Sequence, residues 1–516
     1  MPIKYNSHEL LDAQLVIPMA GKSKRFFDAG FTKPKWLLDV FNESIIEHII
    51  KNHTFFSKIL LIINNEDLSN FSLSQIPLLQ SENIQIIGIE PHTKGPSYSI
   101  LMAEKHLILN KKTIVHYCDV FINWDIDKSI FDLENCDAIF LSFTGFHPTR
   151  LNGTTYAYAK LKKDSLNIIE DIREKQSFTQ DFNQEHASTG VYGFRSGEFL
   201  LDSIKLQIRD SNQVSGEFYT SLTLGSMIKN GGTVLLQEVE LFHGWGTPTD
   251  LQDFIYYSNC MENVQSLSKK LVPSIDHNAI LLAAGKSSRL RLASNKPKQL
   301  KIISDSLKLI DYSRFLVKNS SQIYLIAREE VYPENLWDLP STNFILLPYG
   351  TESQLDSVIM GLDLISDLDE AISFLATDNL IIFDHPKNID IELKNCELLI
   401  WTSFDYPFAK KDPEKYSWVK INDEGFVEQA IRKTRPPNYN EWRLVTGNFT
   451  FKSPFFVNLL INQITGGSEN YELMLDDLLP IAIDLNFKIK SLEVSNFLTL
   501  GNRFEEDIFD YYAKLK

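Results

Sequence analysis

The stretch Leu15–Val40, LVIPMAGKSKRFFDAGFTKPKWLLDV, decides how the rest of this chain is read. Its apolar start, Leu15-Val16-Ile17, predicts a buried parallel strand. A loop opens at Gly21, and from there to Lys35 the cations Lys22, Lys24, Arg25, Lys33 and Lys35 face a single acid, Asp28. A strand running into a glycine-bearing cationic loop suits phosphate, because backbone N–H groups line the loop and the side chains offset the anion's charge. The glycine alone is equally well explained by a strand–turn–helix with a solvated basic turn, so the surrounding pattern has to carry the reading.

At 516 residues the chain is too long for one ordinary core, and two domains are expected. An apolar fraction of 43% and a charged fraction of 23% are those of a globular protein. A net charge of −16 speaks against nucleic acid as a partner. An acidic protein that handles anions must concentrate positive charge locally, as the loop does. No run reaches the length of a membrane span, and MPIKYNSHELLDAQ at the start lacks a signal-peptide core. Cys118, Cys136, Cys260 and Cys396 have no paired spacing. That argues against a disulfide scaffold or zinc site and for a reducing cytoplasm.

Downstream, Ser44 is placed to cap a helix over SIIEHIIKNHTFF. ILLII (59–63), IQIIGI (84–89) and AIFLSF (138–143) read as strands, and TIVHYCDVF (113–121) as one strand ending on Asp119. Gly95-Pro96-Ser97-Tyr98 opens a helix to about residue 109, and another runs from Asp250 to about residue 270. Strands alternating with helices predict an α/β fold, a doubly wound and mostly parallel sheet with ligands at the strands' carboxyl ends. At Asn278 the pattern restarts as AILLAAGKSSRLRLASNKPKQL. Gly21 pairs with Gly285, Arg25 with Arg289, Lys35 with Lys298, Asp119 with Asp378, Lys175 with Lys433 and Gly190 with Gly447. The offset drifts only from 264 at Gly21 to 257 at Gly190. Register kept over so many positions means a tandem duplication, read as domains 1–272 and 273–516.

PMAG, then Arg25, then Pro34-Lys35 resembles the signature of the sugar-1-phosphate nucleotidyltransferases, or nucleotide-sugar pyrophosphorylases. There an AGG-x-G-x-R loop wraps the triphosphate and a P-K-x-L lysine follows. Ser23 stands where that family often has a second glycine, at some cost in backbone freedom. The resemblance implies Rossmann-like, GT-A-type domains. It implies attack of an acceptor phosphate on the α-phosphorus of an NTP, with pyrophosphate leaving. Ala20, Gly21, Lys22 and Ser23 would hold the triphosphate, and Gly95, Pro96 and Ser97 the base. Arg25 suits the leaving pyrophosphate, Lys35 the α-phosphate, and Lys175 the acceptor phosphate, with Glu174 and Gly190 at the acceptor. Mg²⁺ would lie between Asp119 and Asp250, the latter in WGTPTDL; as ordinary structure, Asp119 ends a strand and Asp250 caps a helix.

In the second copy the counterparts are Ala284, Gly285, Lys286, Ser287, Arg289, Lys298, Lys433, Gly447 and Asp378. Its second metal position departs, with Glu505 in GNRFE against Asp250 in GTPTD. LAAGKSSR and Lys298-Gln299 also resemble the cytidylyltransferases and molybdenum-cofactor guanylyltransferases. The second copy is thus expected to be another nucleotidyltransferase or a degenerate regulatory copy. The resemblance implies a product that serves surface polysaccharide or capsule synthesis. Its expected partners are an NTP and a small phosphorylated acceptor, with no membrane; a homo-oligomer stays open. Two alternatives stand beside this. A nucleotide-sugar-dependent glycosyltransferase would use Asp125-Ile126-Asp127 for metal, although that triplet reads as a turn and helix cap. The other is a regulatory nucleotide-binding protein.

Overall fold

The computed structural model describes residues 11–73, 76–265, 272–285, 297–304, 306–329, 339–348, 351, 353–365, 370–385, 387–464 and 472–515. The chain divides into two compact units, Met1–Ile255 with Lys514–Lys516, and Tyr256–Ala513. The division falls within the helix Pro248–Gln265, ahead of the 272/273 boundary expected from the sequence.

The first unit is built on β1 (Leu11–Pro18), β2 (Phe56–Asn64), β3 (Ile84–Ile89), β4 (Lys112–His116), β5 (Val120–Asn123) and β6 (Ala138–Phe143). It continues with β7 (Ala157–Leu161), β8 (Ile169–Glu174), β9 (His186–Phe194), β10 (Val234–Glu238) and β11 (Leu241–Gly244). Nine of these form one sheet in the order β8-β7-β9-β4-β1-β2-β3, with β6 beside β9 and β10 beside β6. β1 pairs in parallel with β2 and β4, as does β2 with β3 and β6 with β10. Only β8 and β9 run against the rest of the described sheet. β1, β2 and β6 are apolar on both faces because helices cover both, as buried parallel strands require. The helix leading into β2 is Ile45–Lys51, capped by Ser44 with Glu47 reaching back, a complete capping box.

The second unit repeats the plan. Its strands are β12 (Asn278–Leu282), β13 (Ile323–Arg328), β14 (Asn343–Leu347), β15 (Ile372–Ala376), β16 (Asn379–Ile382) and β17 (Leu398–Ser403). They continue as β18 (Ser417–Ile421), β19 (Val427–Arg432), β20 (Trp442–Phe451), β21 (Ile489–Glu493) and β22 (Asn496–Thr499). The sheet order is β14-β13-β12-β15-β20-β17-β21, with β18 and β19 branching from β20. Each pairing of the first sheet has its counterpart with the same sense. The molecule therefore carries two tandem, doubly wound α/β units with mixed, mostly parallel nine-stranded sheets.

One expectation needs correction. The segment 113–121 is not one strand ending on Asp119: β4 stops at His116, and Tyr117-Cys118-Asp119 turns the chain into β5. β5 leaves the main sheet and pairs antiparallel with β11 as a separate ribbon. β16 and β22 form the same ribbon in the second unit. That switch brings Asp119 next to the start of the helix Pro248–Gln265, which a continued strand would not.

Candidate active site

At the carboxyl ends of the central strands the first unit holds a cleft of about 820 Å³. Its lining includes Ala20, Gly21, Lys22, Arg25, Lys35, Gly95, Pro96, Asp119, Glu174, Lys175, Gly190 and Asp250. Twelve of the residues expected for this half thus meet in one cavity, whereas Ser23 and Ser97 do not line it. Ser23 takes a left-handed backbone, φ 48°, and its hydroxyl accepts a 3.0 Å bond from the Lys35 N–H. That conformation is the one a glycine adopts freely. Ser97 is fully buried, and its hydroxyl meets Thr223 Oγ1 at 3.0 Å, away from the cleft.

Lys35 Nζ lies 2.6 Å from Asp119 Oδ2. Burial penalises the ammonium, but the Asp119 carboxylate outweighs it and holds the lysine pKa above its ordinary value. Beside it, Cys118 is a buried thiol whose pKa burial pushes up to about 12. Trp245 N–H donates to the Asp119 carbonyl at 2.7 Å, which fixes the ribbon against the loop carrying Asp250. Asp250 does not cap its helix, as the sequence suggested. Thr247 does: its Oγ1 accepts the Asp250 N–H at 3.1 Å and donates to Asp250 Oδ2 at 2.6 Å, with Pro248 in the first turn. Arg25, exposed in the cleft, has no ion-pair partner among the described residues.

At the acceptor end, Lys175 sits at φ 57°, a left-handed residue just after β8. Its N–H donates to Tyr156 O at 2.9 Å and its ammonium to Tyr219 OH at 2.7 Å. No carboxylate pairs with it among the described residues. Glu174 accepts from Ser221 Oγ at 2.5 Å, and burial raises its pKa. Gly190, at φ 81°, leaves room for the Tyr117 ring, which an added Cβ would meet at 3.1 Å. Gly95, at φ 88°, allows the backbone of Phe218 to come within 2.8 Å of where a Cβ would stand. Tyr219 and Glu217 also line the cleft and were not singled out from the sequence. They lie in an irregular loop without a motif.

The second unit keeps part of this arrangement. Lys298 Nζ bonds Asp378 Oδ2, and Leu500 N–H donates to the Asp378 carbonyl at 2.8 Å. Lys433 is again left-handed, φ 49°, with its N–H on Tyr416 O at 2.9 Å, and Gly447 has φ 81°. Ala284 is buried and Gly285 exposed. Lys286, Ser287 and Arg289 lie outside the described residues. Glu505 is different. Its Oε2 accepts the N–H groups of Gly501 at 2.9 Å and Asn502 at 3.1 Å, and its Oε1 accepts from Tyr416 OH. Asn502 Oδ1 in turn accepts the Glu505 N–H at 3.2 Å, closing a capping box. Burial raises the Glu505 pKa to about 7, with the Asp378 charge adding to the rise. Nearby, Lys301 Nζ reaches Glu506 Oε1 and Asp510 Oδ1, both at 2.8 Å.

Among the described residues no three His, Cys, Asp or Glu side chains cluster as a protein-only metal cage. Two cleft carboxylates, Asp119 and Asp250, still fit Mg²⁺, which takes few carboxylates and completes its shell with water and phosphate oxygens. Glu505 fits less well, since both its oxygens already accept hydrogen bonds within the protein. Asp125 accepts the Lys128 N–H at 2.8 Å and caps the helix Ile126–Asp132, as a turn-and-cap reading of Asp-x-Asp expects. No described helix is long and apolar enough to cross a membrane.

Residues 15–229 match the family model described as nucleotidyl transferase. No curated protein matches the chain. Solved structures that resemble it include a nucleoside-diphosphate-sugar pyrophosphorylase from Vibrio cholerae RC9, at 23% identity over 47% of this chain and 99% of that one, TM-score 0.40. A UTP-bound UGPase from Acinetobacter baumannii is 15% identical over 46% and 90%, TM-score 0.37. An inositol-1-phosphate CTP transferase from T. maritima is 15% identical over 47% and 97%, TM-score 0.35. Likenesses at those scores carry no argument about substrate. The family match spans the phosphate loop, Lys35, Asp119, Lys175 and Gly190, so the first unit carries a nucleotidyl transferase domain.

Proposed function

We propose that the first unit transfers the nucleotidyl group of an NTP to a small phosphate ester, a sugar 1-phosphate in first place, and releases pyrophosphate. The observation that carries this reading is Lys175: an ammonium open to the cleft, held by a neutral phenol instead of a carboxylate, in the same cavity as Arg25 and Lys35. Such a cation retains its full charge for an incoming anion.

The reaction must bring two anions together and stabilise charge on the phosphorus passing between them. Lys175 docks the acceptor phosphate. Arg25 binds the outer phosphates through its planar fork and stabilises the departing pyrophosphate. Lys35 leaves Asp119 for the α-phosphate oxygens as negative charge grows there. Asp119 and Asp250 would hold Mg²⁺, which supplies a Lewis acid for the phosphate oxygens. The acceptor attacks through an ionised phosphate oxygen, so no side chain has to take a proton from it. For the second unit we favour a copy without a two-carboxylate metal site, because Glu505 is engaged as a helix cap.

The test is pyrophosphate release by the full chain over ATP, CTP, GTP, UTP and dTTP, each with α-D-glucose 1-phosphate and phosphocholine. One pair should turn over, stop in EDTA and resume with Mg²⁺. Asp250→Asn should raise the Mg²⁺ needed by about ten-fold or more. Turnover that persists in EDTA would overturn the metal assignment, and no release with any pair would overturn the reaction.

A further inference from the structure

Lys175 is exposed, and an exposed lysine ordinarily wanders among many rotamers. Here it does not have that freedom. Its backbone is fixed by the left-handed turn and the bond to Tyr156 O, and its ammonium ends on Tyr219 OH at 2.7 Å. The holder is itself rigid. The residue before it, Phe218, donates its N–H to Lys94 O at 2.8 Å and accepts the Ser97 N–H at 3.1 Å. The residue after it, Thr220, donates its N–H to Tyr117 OH at 3.2 Å. Phe218 also presses against Gly95, where no side chain fits. Tyr219 therefore hangs from the loop that carries Gly95 and Pro96 and reaches across to the lysine that follows Glu174.

We propose that Tyr219 is a positioning residue for the acceptor: its phenol oxygen holds the Lys175 ammonium in the orientation that receives the acceptor phosphate. The inference rests on the reading of Lys175 given above. A lysine oriented before binding loses less side-chain entropy when the phosphate arrives. Tyr219 keeps its proton, since burial and then the Glu217 carboxylate beside it hold its pKa above the ordinary value. The oxygen remains neutral, steering the ammonium without neutralising it. The second unit supplies the contrast. Leu355 N–H to Leu473 O, 3.1 Å, repeats the Ser97–Phe218 bond, so the position after Leu473 is Met474. The backbone anchor of Lys433 is kept there, while a thioether stands in place of the phenol.

The experiment compares Tyr219→Phe, Lys175→Ala and the double variant in the full chain. It uses the fastest pair among the five NTPs with α-D-glucose 1-phosphate or phosphocholine, and a thermal melt confirms that each variant is folded. Tyr219→Phe is expected to raise the acceptor KM about five-fold, with kcat and the NTP KM within about two-fold. The double variant is expected to be no worse than Lys175→Ala alone, since both act through one ammonium. A raised acceptor KM in Lys175→Ala with none in Tyr219→Phe overturns the proposal alone, as do effects that multiply in the double variant. An unchanged acceptor KM in Lys175→Ala, or no turnover with any pair, overturns the parent reading and this one with it.

Discussion

The two units part company at two five-residue turns, Gly246-Thr247-Pro248-Thr249-Asp250 and Gly501-Asn502-Arg503-Phe504-Glu505. Both follow a ribbon strand, both begin a helix, and both place an acid at the third helical position. In the first, the aspartate accepts the hydroxyl of its capping threonine and lines the cleft. In the second, the glutamate folds back onto the N–H groups of Gly501 and Asn502, and Tyr416 closes over its other oxygen. Conservation of acid character at a position is therefore a poor guide to conservation of what the acid does.

The sharpest way to break the comparison is at the paired lysines. Lys35→Ala should lower pyrophosphate release by about 10²–10³-fold, because a charge aimed at the transition state is lost. Lys298→Ala should fall well short of that. Equal losses, read in one assay of the full chain, would make the units partners in the same chemistry and end the contrast drawn here.

The next effect is one of pH. Glu505 titrates near 7 when folded and in the ordinary carboxylate range when unfolded, so the folded state holds its proton more tightly. Stability from this group is greatest below the unfolded pKa, about 4.5, and is lost as pH rises through about 7, by up to about 3 kcal/mol. Hydrogen exchange of the amides at 501–505 should accordingly speed up between pH 5 and 8 beyond the intrinsic base-catalysed rise. Glu505→Gln should remove that excess, and Asp250→Asn should leave it intact. The same excess in Glu505→Gln would show that some other group is responsible.

A smaller difference is expected at the paired glycines. Both have φ 81°, but an added Cβ meets the Tyr117 ring at 3.1 Å beside Gly190 and nothing nearer than Ala376 Cβ at 3.5 Å beside Gly447. Gly447→Ala should cost about 1 kcal/mol, from the backbone alone. Gly190→Ala should cost about 1 kcal/mol more, measured by denaturant unfolding, since the ring has to shift. Equal costs would mean that Tyr117 moves aside freely.

Much of this was legible in the sequence because phosphate loops, buried parallel strands and a collinear duplication leave periodic or repeated marks. Lys35, Asp119, Lys175 and Gly190 each carried a motif and each lines the cleft. What escaped depended on contacts between segments far apart. Tyr219 meets Lys175 across 44 positions and belongs to a loop with no periodicity. Thr247, not Asp250, became the cap, because Pro248 at the first helical position moves the cap one residue ahead of it. The strand through Asp119 was drawn too long because Tyr117-Cys118 continues the apolar run of its neighbours, and only pairing with β11 shows where the chain leaves the sheet. Ser97 was placed in the nucleotide loop by motif, yet Thr223 on the helix Thr220–Lys229 draws its hydroxyl inward.

Lys301 gives the duplication a consequence for recombination. Its position in the repeat, three after Lys298, corresponds to Leu38, and its partners Glu506 and Asp510 correspond to Leu251 and Ile255. Where one half used hydrocarbon, the other installed three mutually dependent charges. A half assembled from the two copies, with the loop of one and the closing helix of the other, would face a lysine with leucine and isoleucine, or two carboxylates with leucine. Either mixture leaves the largely enclosed Lys301 or the buried Glu506 without its counterpart. Such a hybrid half is expected to fold less stably than either parent copy, so the two copies are not interchangeable at this joint.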